Sequence, residues 1–235
     1  MGNPMKRIVQ KVVLGAVTAA LLCAASLSAQ AQGRFDWGGL YVGVHAGYGF
    51  AEADVIFPGT AIAISNEPEG FIGGAQLGLQ HQFGNIVLGL ETSISFGYDT
   101  DSDTACTGIA TRCNQSLNWL VVAGPKLGLA FNRSLLYLHG GFAAAQFDDE
   151  AKPFIANYDD TRTHFGWAIG GGFEYAFSNT VIAGIDYVHA DVGSQTYAQV
   201  PFAANQTRNI DGTIDVVRAR LSFKLSRQRS LEPLK

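Results

Sequence analysis

The chain has 235 residues, room for one large all-β domain or two ordinary ones. Glycine supplies 28 residues, aromatics 11% and charged residues only 15%, with 7 prolines, a composition rich in strand and turn formers and poor in the Glu, Lys and Leu of helical proteins. The net charge of −4 argues against a nucleic-acid partner, which would call for a basic patch, so no nucleic acid is expected.

Residues 1–31 read as a cleaved signal peptide. Lys6, Arg7 and Lys11 form a basic start, Val12–Ala25 an apolar core, and Ala29-Gln30-Ala31 a small-residue cleavage site ahead of Gln32. A membrane helix is the competing reading, but the far flank carries a processing site and no basic stop. Lipoprotein processing at Cys23 is disfavoured by the bulky Leu22 before it. Removing the signal leaves 13 bases against 20 acids, a net charge of −7. No later stretch reaches the roughly 18 apolar residues of a transmembrane helix. Insertion into a membrane must then use strands.

The first strand lies in Trp37–Phe50. Leu40, Val42, Val44, Ala46, Tyr48 and Phe50 alternate with Gly43, His45, Gly47 and Gly49, giving one greasy and one lean face. Trp37 and Tyr41 are expected at one membrane interface and Phe50 at the other, with His45 on the lean face. A polar stretch, Ala51–Glu69, precedes the second strand, Phe71–Phe83, where Leu77, Leu79 and Phe83 oppose Gln76, Gln80 and Gln82. Gly84-Asn85 is a tight turn. In Ile86–Tyr98 the apolar set Ile86, Leu88, Leu90, Ile94, Phe96 and Tyr98 opposes Gly89, Glu91, Ser93, Ser95 and Gly97.

Asp99–Ser116 reads as a loop whose two cysteines, Cys106 and Cys113, form a disulfide at its tip in an oxidising compartment. Leu117–Phe131 follows, with Leu117, Trp119, Val121, Leu127, Leu129 and Phe131 opposite Lys126, and a bulge expected at Pro125. After the Asn132-Arg133 turn, Leu135–Phe147 sets Leu136, Leu138, Phe142 and Ala144 against Tyr137 and His139. Asp148–Thr163 is a third polar loop. His164–Phe177 alternates cleanly, with Phe165, Trp167, Ile169, Phe173, Tyr175 and Phe177 opposite His164, Gly166, Ala168, Gly170, Gly172 and Glu174. Ser178-Asn179 turns the chain into Val181–Asp191, with Ile185 and Tyr187 opposite Asp186. A fourth loop, Ser194–Asn209, leads to Thr213–Leu225, where Val217, Ala219, Leu221, Phe223 and Leu225 oppose Arg218, Arg220, Ser222 and Lys224.

Short turns near 84, 132 and 178 alternate with long polar connections. That asymmetry predicts an all-β fold: an eight-stranded antiparallel transmembrane β-barrel with short periplasmic turns and long extracellular loops. It spans residues 32–225, and residues 226–235 form a short polar periplasmic tail. Closure removes the sheet edges that lipid does not tolerate. An eight-stranded interior is just wide enough for side chains. Glu91, Glu174 and Asp186 with Lys126, Arg218 and Arg220 are expected to meet there as a paired ionic network. A water-filled channel is the alternative.

The stretches WGGLYVGVHAGYGF (37–50), IVLGLETSISF (86–96), LNWLVVAGPKLGLAF (117–131), LLYLHGGFAAA (135–145), WAIGGGFEYAFSNTVIAGIDYVHADVG (167–193) and VVRARLSFKL (216–225) together resemble the porin-like outer-membrane β-barrel family of alphaproteobacteria, which includes surface antigens and hemin-binding proteins. The likeness covers nearly the whole mature chain. There are two departures. Gly124 stands where family members usually have an inward base, and the last strand ends Phe223-Lys224-Leu225 with a tail, where members commonly end on an aromatic residue read by the barrel-assembly machinery.

The resemblance implies a cell-surface barrel of the bacterial outer membrane, partnered by outer-membrane lipid, lipopolysaccharide and the assembly machinery, with host or surface ligands possible through the loops. A structural, envelope-integrity and surface-interaction role leads. Small-solute passage comes next, then hemin capture with His164 and His189 as axial ligands, Tyr158 and Tyr197 lying in the loops. No metal site is expected. The acids Asp99, Asp101, Asp103, Asp148, Asp149 and Glu150 read as a solvated face. Enzyme activity is not expected. His81 faces lipid with no serine in register to build a nucleophilic triad.

Overall fold

The computed structural model describes residues 35–56, 63–66, 69–97, 104–106, 111–152, 158–197 and 208–225. The signal peptide expected at 1–31 and the tail at 226–235 lie outside them. Ten strands are present among the described residues: β1 (Gly39–Ile56), β2 (Ala63–Asn66), β3 (Glu69–Phe83), β4 (Ile86–Gly97), β5 (Thr104–Cys106), β6 (Thr111–Phe131), β7 (Ser134–Lys152), β8 (Tyr158–Ala176), β9 (Val181–Tyr197) and β10 (Arg208–Lys224). Eight of them form the wall, in the order β1-β3-β4-β6-β7-β8-β9-β10. β10 pairs back onto β1 from Tyr41↔Lys224 to Ile56↔Asn209, which closes an eight-stranded antiparallel barrel. The short β2 and β5 pair only with β1 and β6.

The three tight turns sit at one end. Gly84 and Asn132 take left-handed φ values of 62° and 54° there, as two-residue hairpins demand. In the third turn the Ser178 hydroxyl accepts from the backbone N–H of Thr180 and Val181. At the other end the strands run on past the point where alternation fades. The polar stretches expected to be loops therefore contain strand: β1 continues to Ile56, and β7 and β8 pair out to Ala151↔Tyr158. The backbone ladder continues there although the sequence no longer alternates with a period of two.

Alternation sets the wall's two faces. Leu79, Leu90, Leu138, Phe142, Phe165 and Ile169 are exposed on the outside, while Glu91, Lys126, Glu174, Asp186 and Arg220 are buried inside. Aromatics collect at both ends of the outer face. Phe83, Phe131, Phe177 and Phe223 lie by the tight turns, and Phe71, Phe96, Phe142, Phe165 and Trp167 lie at the far rim.

Two expectations need correction. Trp37 and Tyr41 do not reach lipid; both are buried on the inner side, because position 41 shares its parity with Gly43 and His45. The bulge is not at Pro125. The β6–β7 register is the same at Ala123↔Phe142 and Lys126↔His139, and the shift falls at Leu117/Trp119. Proline lacks an N–H, so the ladder skips a rung opposite Gly140 and Gly141 without adding a residue. Ala144 keeps the face of Phe142 that was expected for it, opposite the exposed Phe165, and as a small side chain is buried there.

Above the outer girdle the regular ladder between β8 and β9 ends. Their pairing stops at Trp167↔Asp191, while β8 follows β7 and β9 follows β10. The Asp191 carboxylate accepts the Gly193 N–H at 2.9 Å, Gly193 has φ 67°, and the β9–β10 register shifts between Asp211 and Thr213. This bulge interrupts the β8–β9 ladder, while the two backbones stay close, Gly166 lying against Asp191 and Val192.

Candidate functional site

Three layers fill the lumen. At the turn end, Phe35 and Trp37 lead into β1 and stack edge-to-face at 4.9 Å. They pack with Val87, Leu135, Tyr137 and Ile182. Hydrogen bonds hold this segment in place. The Phe35 N–H donates to the Asn132 carbonyl at 3.3 Å, the Trp37 N–H to Gln82 Oε1 at 2.8 Å, and Gln80 Nε2 to the Trp37 carbonyl at 2.7 Å. Lys224 donates to the Asp36 carbonyl and lies 5.2 Å from the Phe35 ring centroid.

The middle layer is ionic. Glu91 on β4 receives Arg220 from β10 through two bonds, 2.9 and 2.7 Å, and Lys126 from β6 at 3.3 Å. Lys126 also donates to both oxygens of Glu174 on β8 at 3.1 Å. Asp186 on β9 takes Arg218 through Nε at 2.9 Å and Nη2 at 2.7 Å, and Arg220 at 2.8 Å. Contacts of 3.6 Å or less thus join the six side chains in a chain, Arg218 through Asp186, Arg220 and Glu91 to Lys126 and Glu174.

Further partners join this layer: Tyr41, Tyr137 and His139 were not singled out from the sequence as members, whereas His45 was expected on this face. The Tyr41 hydroxyl donates to Glu91 at 2.5 Å. Tyr137 accepts from Arg220 at 2.9 Å and donates to Asp186 at 3.2 Å, with the Lys126 ammonium 4.0 Å from its ring centroid. His139 Nε2 stands 3.7 Å from Asp186. His45 donates from Nδ1 to Gln76 Oε1 at 2.8 Å and accepts at Nε2 from Ser95 at 2.9 Å; Gln76 Nε2 donates to Ser222 at 3.1 Å. With that Gln76 link, every wall strand contributes to the polar layer. Strand parity carries the signal for Tyr41, since its position shares the face of His45. The space it occupies is opened by Gly78, opposite it on β3, where a Cβ would run into the Tyr41 ring.

The outer layer is apolar again. Ile72, Leu120, Val122, Val188, Ile214 and Val216 are buried together above the charges.

The other expected residues lie apart. His164 is buried on the inner face, whereas His189 is on the outer face, its Nδ1 2.7 Å from Asp215. One hemin cannot take axial bonds from both sides of a barrel wall, so the pair does not form a bis-histidine site. The side chains of Cys106 and Cys113, of Tyr158 and Tyr197, and of the acids at 99–103 and 148–150 lie outside the described residues, and with them the expected disulfide. In backbone register Thr104 faces Cys113 and Cys106 faces Thr111. His81 is exposed on the outer face against the Phe83 ring at 4.5 Å.

A closed barrel with charges inside and a band of exposed Leu, Ile and Phe outside, edged by aromatic rings, is an integral protein of the bacterial outer membrane. Comparison with known proteins agrees. The chain belongs to the outer membrane protein beta-barrel domain family, whose model matches residues 18–222. It is 28% identical over 183 residues to the 31 kDa outer-membrane immunogenic protein of Brucella melitensis, covering 71% of this chain and 75% of that one. A 22 kDa outer membrane protein of Rhizobium leguminosarum bv. viciae is 25% identical over 162 residues, 69% of this chain and 67% of the relative. Among solved structures, Neisserial surface protein A aligns over 80% of this chain and 98% of its own, with 14% identity and a TM-score of 0.43.

Proposed function

We propose that this barrel is a sealed wall element of the outer membrane, with a structural, envelope-integrity role and a surface-interaction role for the strands that rise above it. The observation that carries the reading is the ionic layer, in which Glu91, Lys126, Glu174, Asp186, Arg218 and Arg220 bridge the lumen at 2.7–3.6 Å. Apolar layers flank it on both sides. A pore blocked by paired charges and dry side chains has no continuous path for water or ions. The name of the Brucella relatives, outer-membrane immunogenic proteins, fits a role at the surface. On this reading the protein is not an enzyme and needs no cofactor. Its partners are lipopolysaccharide, the assembly machinery and ligands met by the loops.

Single-channel recording in planar bilayers tests the proposal. Silence is the expected result. Steady openings of uniform size would replace it with the small-solute channel. Titration with hemin is the companion measurement, and an absorbance shift abolished by His164→Ala alone or by His189→Ala alone would install the hemin reading instead, with that histidine as a single axial ligand.

A further inference from the structure

Most of the outer face is apolar, but at one place it carries an organised polar group. On β9 and β10 the outward series Ile185, Val217, Ala219 and Leu221 gives way to Tyr187, His189 and Asp215. The Tyr187 hydroxyl donates to Asp215 Oδ1 at 2.5 Å. His189 Nδ1 donates to the same oxygen at 2.7 Å, which leaves its Nε2 for another partner. The histidine and aspartate side chains are 32% and 29% exposed. Trp167 on β8 flanks the imidazole, ring centroids 5.8 Å apart. On the other side Phe50 of β1 is the direct cross-strand partner of Asp215.

Height on the wall fixes what this group meets. His189 lies eight residues from the start of β9, roughly 27 Å along the strand and about 20 Å up once tilted. The apolar band of such barrels is about 25 Å tall. The cluster therefore sits at the outer edge of the bilayer, where lipid headgroups begin. A carboxylate on the lipid side is tolerated there, since charge on this face costs only ~0–1 kcal/mol near an interface.

We propose that Tyr187, His189 and Asp215, walled by Trp167 and Phe50, bind the sugar headgroup of an outer-leaflet glycolipid. The chemistry is that of carbohydrate recognition. Asp215 and His189 Nε2 accept sugar hydroxyls, and the indole offers a flat apolar face to a ring's C–H groups. From β8 to β1 is three strand spacings, about 14 Å, a width suited to two linked sugars. The regular β8–β9 register ends just above, at Trp167↔Asp191, so the cluster lies at the upper limit of the regular wall. A phospholipid would meet only the carboxylate's repulsion and an imidazole already held by it.

The test uses the full barrel purified in detergent and titrated with bisphosphorylated lipid A, its dephosphorylated form, and phosphatidylglycerol, with retained lipid counted by native mass spectrometry. Both lipid A forms are expected to bind and phosphatidylglycerol to be displaced. His189→Ala and Asp215→Asn are each expected to weaken lipid A retention about tenfold, as loss of a charge-assisted hydrogen bond does, while Ile94→Ala, outward on β4, leaves it unchanged. Heat-modifiable gel migration checks that each variant is folded. Equal retention in wild type and both folded variants overturns the proposal. So does binding that vanishes with the phosphates or is matched by phosphatidylglycerol.

Discussion

Leu90 and Glu91 are neighbours in β4 and live in opposite solvents. Leu90 is 65% exposed on the outer face, and Glu91 is 6% exposed inside, held by Lys126 and Arg220. In a soluble sheet the same alternation would place leucine in the core and glutamate in water. The difference lies in where the penalties fall. Outside, lipid is as apolar as leucine, so no individual contact is strained or strongly directional. Inside, each charge has left water and depends on a named partner. The inner face should therefore be fragile to single changes and the outer face forgiving except toward charge.

The largest expected effect comes from breaking the inner pairing. Arg220→Ala strips Glu91 and Asp186 of a shared base and is expected to cost about 3–5 kcal/mol, read as a shifted midpoint when the barrel is unfolded by urea from lipid vesicles. The double variant Arg220→Met, Glu91→Gln should recover much of that loss. Additive losses would show that the two residues are not coupled.

Next is charge placed on the outer face. Leu90→Arg, four residues on from Ile86 at the start of β4 and well inside the apolar band, should cost about 2–4 kcal/mol in the same assay. If it costs no more than Leu90→Ala, that face does not touch lipid.

Gly78→Ala should be milder, about 1–3 kcal/mol as a steric intrusion, because the added methyl pushes the Tyr41 ring off Glu91. Combined with Tyr41→Ala, which empties the space, the glycine change should become nearly silent. A full penalty in that background would mean the methyl clashes elsewhere.

The smallest effect belongs to Phe223→Ala, exposed on the outer face. It should stay within about 0.5 kcal/mol, since its side chain lies on the outer face, 41% exposed. A loss as large as that of Arg220→Ala would erase the contrast between the two faces.

Much of this was legible in the sequence because a barrel wall is strictly two-sided. Parity alone put Leu77, Leu90 and Phe173 outside and Glu91, Lys126 and Asp186 inside. It failed where chemistry and parity disagreed. Trp37 and Tyr41 suggest an interface by residue type, yet Tyr41 fills the space left by Gly78, which only the β1–β3 register reveals. The strand extensions were invisible for another reason. Beyond Phe50 and Asp148 no lipid imposes a period of two, although the backbone ladder continues. Pro125 was read as an insertion when it only omits a donor. The Tyr187–His189–Asp215 group was hidden because its members are spread over two strands and meet only through the β9–β10 register.

The ionic layer also bears on how the chain completes itself. Glu91 is 129 positions from Arg220, and that base arrives on the strand made last. Until β10 docks against β1, Glu91 and Asp186 lack it, and a half-built sheet carries unbalanced charge into a greasy medium. A chain cut short before residue 218 would leave Glu91, Glu174 and Asp186 facing Lys126 as the one base of the six.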